Sequence, residues 1–161
     1  MKLALYASVW AFGSVDACLE RVRAGLFDGV EGPVSCGPRV RAEGVPYLAE
    51  LCTGGDYAPP SAVPESLHFD QFRAQLDQAG DATLVNCLTG SDAWPLAQSI
   101  DYLGRALEHA QGIELSFETH RGRPLFHPAN TFAIASALPS LQLTCDLSHW
   151  CVVCERLVDH E

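Results

Sequence analysis

Lysine is almost missing from this chain. Lys2 is the only one among 161 residues, and the ten basic residues face twenty aspartates and glutamates, a formal charge of −10. A surface field of that sign repels phosphate backbones and anionic bilayers, so neither nucleic acid nor a membrane is expected as a partner. No apolar run reaches the ~18 residues that a membrane span requires. Low-complexity tracts, internal repeats and long linkers are also lacking, which excludes disordered and fibrous classes. The seven cysteines are odd in number and scattered from Cys18 to Cys154, so they do not describe a disulfide framework, and a reducing cytoplasm is the expected compartment. The glycines, Gly54-Gly55 included, match neither a dinucleotide fingerprint nor a phosphate loop with its lysine.

What is present is a globular balance, 48% hydrophobic and 19% charged, in a length that suits one domain over residues 1–161. The apolar stretch from Leu3 to Phe12 behind Lys2 has the outline of a secretory signal, but Asp16 spoils the small-residue context before Cys18, and Leu3 to Val9 is read instead as a buried strand. From there short apolar runs alternate with helix-period segments, the rhythm of an α/β fold. Strands are expected over Leu3 to Val9, Gly29 to Pro33, Pro46 to Leu51, Thr83 to Cys87, Ile113 to Glu118 and Leu141 to Asp146, all able to run parallel. Helices fit Val15 to Gly25, Leu67 to Ala79, Ala93 to Ala110 and Thr131 to Leu138. Val34 to Val45, with its glycines and Pro38, leaves room for one poor helical turn. Tyr57 to Pro64, rich in proline, reads as an extended loop of the kind that lies over a site.

In a parallel sheet with helical crossovers the carboxyl ends of the strands share one rim, where residues distant in sequence converge. Polar residues gather at those ends: Trp10, Glu31, Glu50, Asn86 with Thr89 to Asp92, then Glu118-Thr119-His120-Arg121-Gly122-Arg123 and Asp146-Leu147-Ser148-His149-Trp150. Glu118 and Asp146 on adjacent strand ends are close enough to share one hard cation, and without a cation or an arginine beside them one carboxyl should keep its proton above the usual range. His149, three residues after Asp146, can face the same ion or a substrate hydroxyl, and Arg121 offers a planar fork to an anionic or polyhydroxy ligand. Cys151-x-x-Cys154, flanked by His149 and His160, has half the look of a zinc site, but no second cysteine pair answers it, and the two sulfurs one helical turn apart read as packing.

Phe117 to Arg123 and Leu143 to Trp150, together with Asp28 to Pro33 and Thr89 to Trp94, resemble the xylose isomerase-like TIM barrels known as sugar phosphate isomerases and epimerases. The resemblance runs from Met1 nearly to Glu161. It implies a partial (β/α) barrel of about six parallel strands with helical crossovers, and a divalent metal, Mn²⁺ or Mg²⁺ with Zn²⁺ as the other option, held by Glu118 and Asp146. It also implies Glu118 as the acid/base that moves a proton beside a metal-bound carbonyl. His149, His120, Arg121, Trp10 and Glu31 are then the expected contacts to a small sugar or polyol.

The sequence departs from that family in ways that set further expectations. Eight βα units take ~250 residues, so a barrel of this length stops after the sixth strand, and its first and sixth strands are edges open to self-association. The last two strands of such barrels supply a further metal-binding histidine and a second catalytic glutamate, and Leu88 stands where relatives often have histidine. An inactive barrel fragment that associates through its edges is therefore the alternative to an isomerase. The DNA-cleaving branch of these barrels needs more ligands and a basic groove, which a chain of this charge lacks.

Overall fold

Parallel strands need a crossover of a dozen or more residues between them, and the spacing of the apolar runs supplies one each time. The computed structural model describes residues 3–55, 62–110 and 112–158. Its strands are β1 (Tyr6–Ser8), β2 (Gly29–Pro33), β3 (Tyr47–Cys52), β4 (Leu84–Leu88), β5 (Leu115–Glu118) and β6 (Leu143–Thr144). They pair in sequence order, every pair parallel, and curl into a half-barrel. The connections carry α1 (Val9–Phe12), α2 (Val15–Arg23), α3 (Gly37–Arg41), α4 (Glu65–Ala79), α5 (Leu96–His109), α6 (Pro128–Ala137) and, after β6, α7 (Leu147–Cys154).

The pleat divides each strand into two rows. One row, Ala7, Val30, Ala49, Leu51, Val85, Cys87, Leu115 and Phe117, is buried against the helices, where it meets Cys18, Leu19, Phe72, Leu76, Tyr102, Leu103 and Ile134. Cross-strand pairs Ala49 with Val85, Val85 with Leu115 and Cys87 with Phe117 keep that row continuous. The alternate row carries the polar residues, with Leu48, Leu84 and Leu88 at its other positions: Glu50 pairs with Asn86, Asn86 with Ser116, and Glu118 with Thr144. Period-two alternation thus separates an oily convex face from a mixed concave face that holds the polar groups, and the sheet curls around the latter.

Several boundaries differ from the sequence reading. β1 is only three residues long, because Leu3 and Leu5 lie outside it, 76% and 50% exposed, and Val9 already begins α1. Trp10 therefore sits on a helical turn rather than at a strand end. The segment after β2 holds more helix than its composition suggests: a 3-10 turn over Val34–Cys36 runs into α3, whose Pro38 sits in the first turn, where no intrahelical N–H is needed. α5 starts after Pro95, three residues later than expected, and α6 starts at Pro128, capped by His127 Nδ1, which accepts from the Ala129 amide. β6 keeps two of the six residues assigned to it. Most of the Tyr57 to Pro64 stretch lies outside the described residues.

Beneath the rim between β3 and β4 runs a buried polar chain. Thr53 Oγ1 meets His68 Nδ1 at 2.7 Å and Thr89 Oγ1 at 2.9 Å, and Thr89 meets the Tyr102 hydroxyl. Burial pushes the Tyr102 phenol well above its usual range, so it stays neutral in this chain of bonds. Trp94 packs edge-on against both His68 and Tyr102, with ring centroids 5.3 and 5.0 Å away. Gly54 follows with φ +83°, and a Cβ there would fall 2.7 Å from His68 Cε1, so only glycine lets the chain turn over the imidazole. Thr53 is the hub of this network. Thr53→Val preserves its shape but strands buried partners, and is expected to lower the unfolding free energy by about 1–3 kcal/mol in urea titrations; an unchanged midpoint would contradict the assigned role.

Candidate functional site

The carboxyl ends of β5 and β6 are joined by one side chain. Thr119 Oγ1 accepts from the Asp146 amide at 2.8 Å and donates to the Asp146 carbonyl at 3.1 Å, while the Thr119 amide donates to the Thr144 carbonyl at 3.0 Å. This fully buried threonine sets Glu118 and Asp146 on neighbouring strand ends. Beyond it, Arg123 folds back beneath the rim. Its guanidinium donates to the Thr53 carbonyl at 2.7 Å, to the Gly90 carbonyl at 3.1 Å and to Cys52 Sγ at 3.3 Å. The loop from β5 to α6 is thereby tied to the ends of β3 and β4. The Arg-Gly-Arg sequence divides accordingly, since Arg123 is buried and Arg121 is exposed.

Three side chains on this framework converge. Glu118, His120 and His149 each bring one ligand atom into a group whose members all lie within 4.8 Å of one another. The two imidazoles face each other with centroids 3.7 Å apart and planes tilted by 42°. His120 Nδ1 lies on the Arg121 carbonyl, which can only accept, so the ring proton is on Nδ1 and Nε2 keeps its lone pair. Burial lowers the pKa of both histidines. Asp146 opposes this at His149, where Arg121 adds to it, and the charge of His149 adds to it at His120. Neutral imidazoles with free lone pairs are the form that ligates a cation.

Glu118 is half-buried at the end of β5 and accepts a 2.6 Å hydrogen bond from Asn86 Nδ2. Burial raises its pKa above the ordinary 4.5; the Asn86 bond works against the rise, and Asp146 and Glu31 add to it. Asp146 has another task. Its Oδ1 accepts from the Ser148 amide at 2.9 Å and from the Ser148 hydroxyl, capping α7, and its Oδ2 lies 3.7 Å from His149 Nε2. Burial pushes against the charge of Asp146, but the Ser148 bonds and the neighbouring histidines outweigh it and hold the carboxyl below its usual value.

The sequence reading named Glu118 and Asp146 as ligands and the two histidines as substrate contacts. The structure gathers Glu118 with the histidines, and Asp146 stands beside His149 outside the group of three. Trp10, 55% exposed, lines a rim cavity of about 500 Å³ together with Pro33, Glu50, Cys52, Leu88 and His120. Glu31 sits on the concave face of β2, near enough to act on Glu118 electrostatically. Arg121 is exposed beside His149. Reasoning from sequence missed Arg123 as a buried clamp, and treated Asn86 only as a strand-end polar residue. An arginine three residues beyond a histidine carries no sign that it turns inward, whereas an asparagine set among Leu84, Val85 and Leu88 is a visible signal. Cys151 and Cys154 are half-buried on α7 and outside the ligand group.

Neither a family model nor a curated protein sequence matches the chain. Among solved structures it is similar to the crystal structure of the probable 3-DHS dehydratase AsbF from Bacillus anthracis, a protein involved in petrobactin synthesis. The TM-score is 0.58 at 13% identity, over 92% of this chain and 64% of that one. At that identity the likeness shows a common fold. The chain spans 64% of the length of the protein it matches. No helix among the described residues is long and apolar enough to cross a membrane.

The raised pKa of Glu118 has a consequence for stability. Below the unfolded value near 4.5 the carboxyl is neutral in both states and contributes nothing; as pH rises, the unfolded chain ionises first, and the folded state loses ground until its own pKa is passed. Glu118→Gln is therefore expected to melt higher than the native chain at pH 7, with the two converging near pH 4. A variant that melts lower at pH 7 would show that burial does not dominate at this carboxylate.

Proposed function

We propose that this chain carries the cation-binding rim of an enzyme that moves a proton on carbon in a small sugar or polyol, an isomerase or epimerase in reaction type. The observation that carries the reading is the convergence of Glu118, His120 and His149 within 4.8 Å at the mouth of the half-barrel. The residues fit a metal ion. One carboxylate oxygen and two neutral imidazole nitrogens, each able to ligate at ~2.0–2.2 Å, can close on a single ion with small movements. Two imidazoles favour Zn²⁺ over Mg²⁺, and the carboxylate admits Mn²⁺ as well. Asp146 Oδ2, the oxygen less engaged in capping α7, supplies a further acidic atom on the His149 side.

Such an ion, when bound, polarises a carbonyl and its neighbouring hydroxyl. The remaining chemistry belongs to the protein. Glu118 keeps one oxygen on Asn86 and, as the base, takes a carbon-bound proton and returns it to the adjacent carbon on the same face; delivery to the opposite face, the epimerase course, needs a second acid across the ligand. Trp10 offers a flat surface to the carbon skeleton, and Arg121 a fork to its polar end. The probable dehydratase that shares the fold supports a proton-transfer reading, since dehydration, like isomerisation, commonly removes a proton from carbon.

A second reading concerns assembly, and the β6 edge favours it. Leu143 on that edge, Phe132 at 77% exposure, Ala135 and Trp150 line an apolar groove of about 530 Å³, and β6 has β5 as its only strand neighbour among the described residues. At the opposite edge Leu3 and Leu5 are exposed. We propose that a second copy of the chain covers these edges. Sedimentation velocity is expected to show a dimer or larger species; a monomer at all concentrations would rule it out.

The cation itself is tested by calorimetric titration of Mn²⁺ into the native protein and into Glu118→Gln and His149→Ala. The native protein is expected to bind, and each variant to lose about tenfold or more in affinity. The same null heat from all three would remove the metal from the proposal.

A further inference from the structure

Asn86 stands in the middle of the polar row, 1% exposed, with Glu50 as its register partner on β3 and Ser116 on β5. Its same-face neighbours along β4 are Leu84 and Leu88, so packing along the strand would be served as well by an aliphatic side chain. Its amide nitrogen has a clear purpose, the 2.6 Å bond to Glu118 Oε2. Its carbonyl has none. Asn86 Oδ1 is the one buried side-chain nitrogen or oxygen among the described residues without a hydrogen-bond partner. Turning the amide over does not mend this, because Oδ1 would then face a carboxylate oxygen, acceptor against acceptor. An ionised Glu118 therefore fixes the amide in the orientation that leaves the carbonyl unmet. Buried acceptors are rarely left so, since the loss of water is uncompensated.

We propose that Asn86 is a positioning residue of the cation site, its Oδ1 accepting a hydrogen bond from an O–H group that the site brings in beside Glu118. This rests on the cation reading given above. A cation at Glu118, His120 and His149 supplies such a donor in one of two forms, a coordinated water or a hydroxyl of a bound polyol, and either O–H is acidified by the ion and so donates strongly. Asn86 then works with both ends at once. Its nitrogen steadies one oxygen of Glu118, and its carbonyl orients the hydroxyl-bearing ligand against the same carboxylate. A residue that acts on the carboxylate ligand and on the incoming hydroxyl couples their geometry, as outer partners of metal ligands do.

The test uses the native chain, Asn86→Leu, which keeps the volume without polar atoms, and Asn86→Ser, which serves if the leucine variant does not fold. Circular dichroism and metal-free melting confirm the fold. Mn²⁺ is titrated by calorimetry, followed by the five-carbon polyol xylitol into the Mn²⁺-loaded protein. The expected result is a loss of about tenfold or more in one titration, with metal-free melting little changed and a smaller rise in melting temperature on adding Mn²⁺. Loss with Mn²⁺ alone assigns the donor to coordinated water, and loss confined to xylitol assigns it to the ligand hydroxyl. Unchanged affinity in both titrations overturns the role of Asn86, and so does a fall in melting temperature that is equal with and without Mn²⁺. If native protein binds no Mn²⁺, the cation reading itself fails and this inference with it; if native protein binds, Glu118→Gln does not, and the Asn86 variants match native, only the inference about Asn86 fails.

Discussion

Parallel pairing of each strand with its immediate predecessor is the constraint on which the rest depends. It puts every carboxyl end on one rim and turns every second side chain of β3, β4, β5 and β6 onto one concave face. Glu50, Asn86, Ser116, Glu118 and Thr144 owe their proximity to that register, which also lets Asn86 bond to Glu118 and Ser116 to Thr144. Other groups gathered on the same rim repel. Asp146 and Glu31 both raise the pKa of Glu118, and two imidazoles lie face to face. Burial of the aliphatic row against α2, α4, α5 and α6 supplies the stability that holds these unfavourable neighbours together.

The framework beneath the rim shows how that hold is exercised locally. Arg123 reaches two backbone carbonyls on loops that follow β3 and β4, and Thr119 bonds to the backbone of Asp146 in both directions. Backbone acceptors do not change rotamer, so the loop that carries His120 is referenced to the main chain and not to other mobile side chains. Glu118, by contrast, is referenced to a side chain, Asn86, and is the one member of the group whose partner is itself incompletely bonded.

The fold was largely legible in the sequence because it is written in periodicity. The order of apolar runs and helical segments, with Pro139 after α6 and Ser14 before α2, gave six strands and their crossovers without knowledge of any contact. Boundaries were misread where a local pattern continued past the paired residues: Leu3 to Leu5 alternate as strand residues do, yet β1 pairs only from Tyr6. The rim was legible as a set of strand-end polar residues, Glu118 and His149 among them. The division of labour within it was not. Whether His120 turns toward Glu118 or outward, and whether Asp146 caps α7 or leans toward an ion, is decided by loop dihedrals and by the competition of Ser148 for Asp146 Oδ1, which no spacing rule reports.

The brevity of β6 bears on how the three side chains are held. Two paired residues tie it to β5, while β3 and β4 share a register of five pairs. His149 rides on α7 just beyond that short strand, held by the Thr119 latch and the aspartate cap, whereas Glu118 and His120 belong to the better anchored interior. Opening of those two pairs would draw one imidazole away from the other two side chains without disturbing the rest of the sheet. The geometry of the three therefore depends on an edge, and not only on the interior that positions Glu118 and His120.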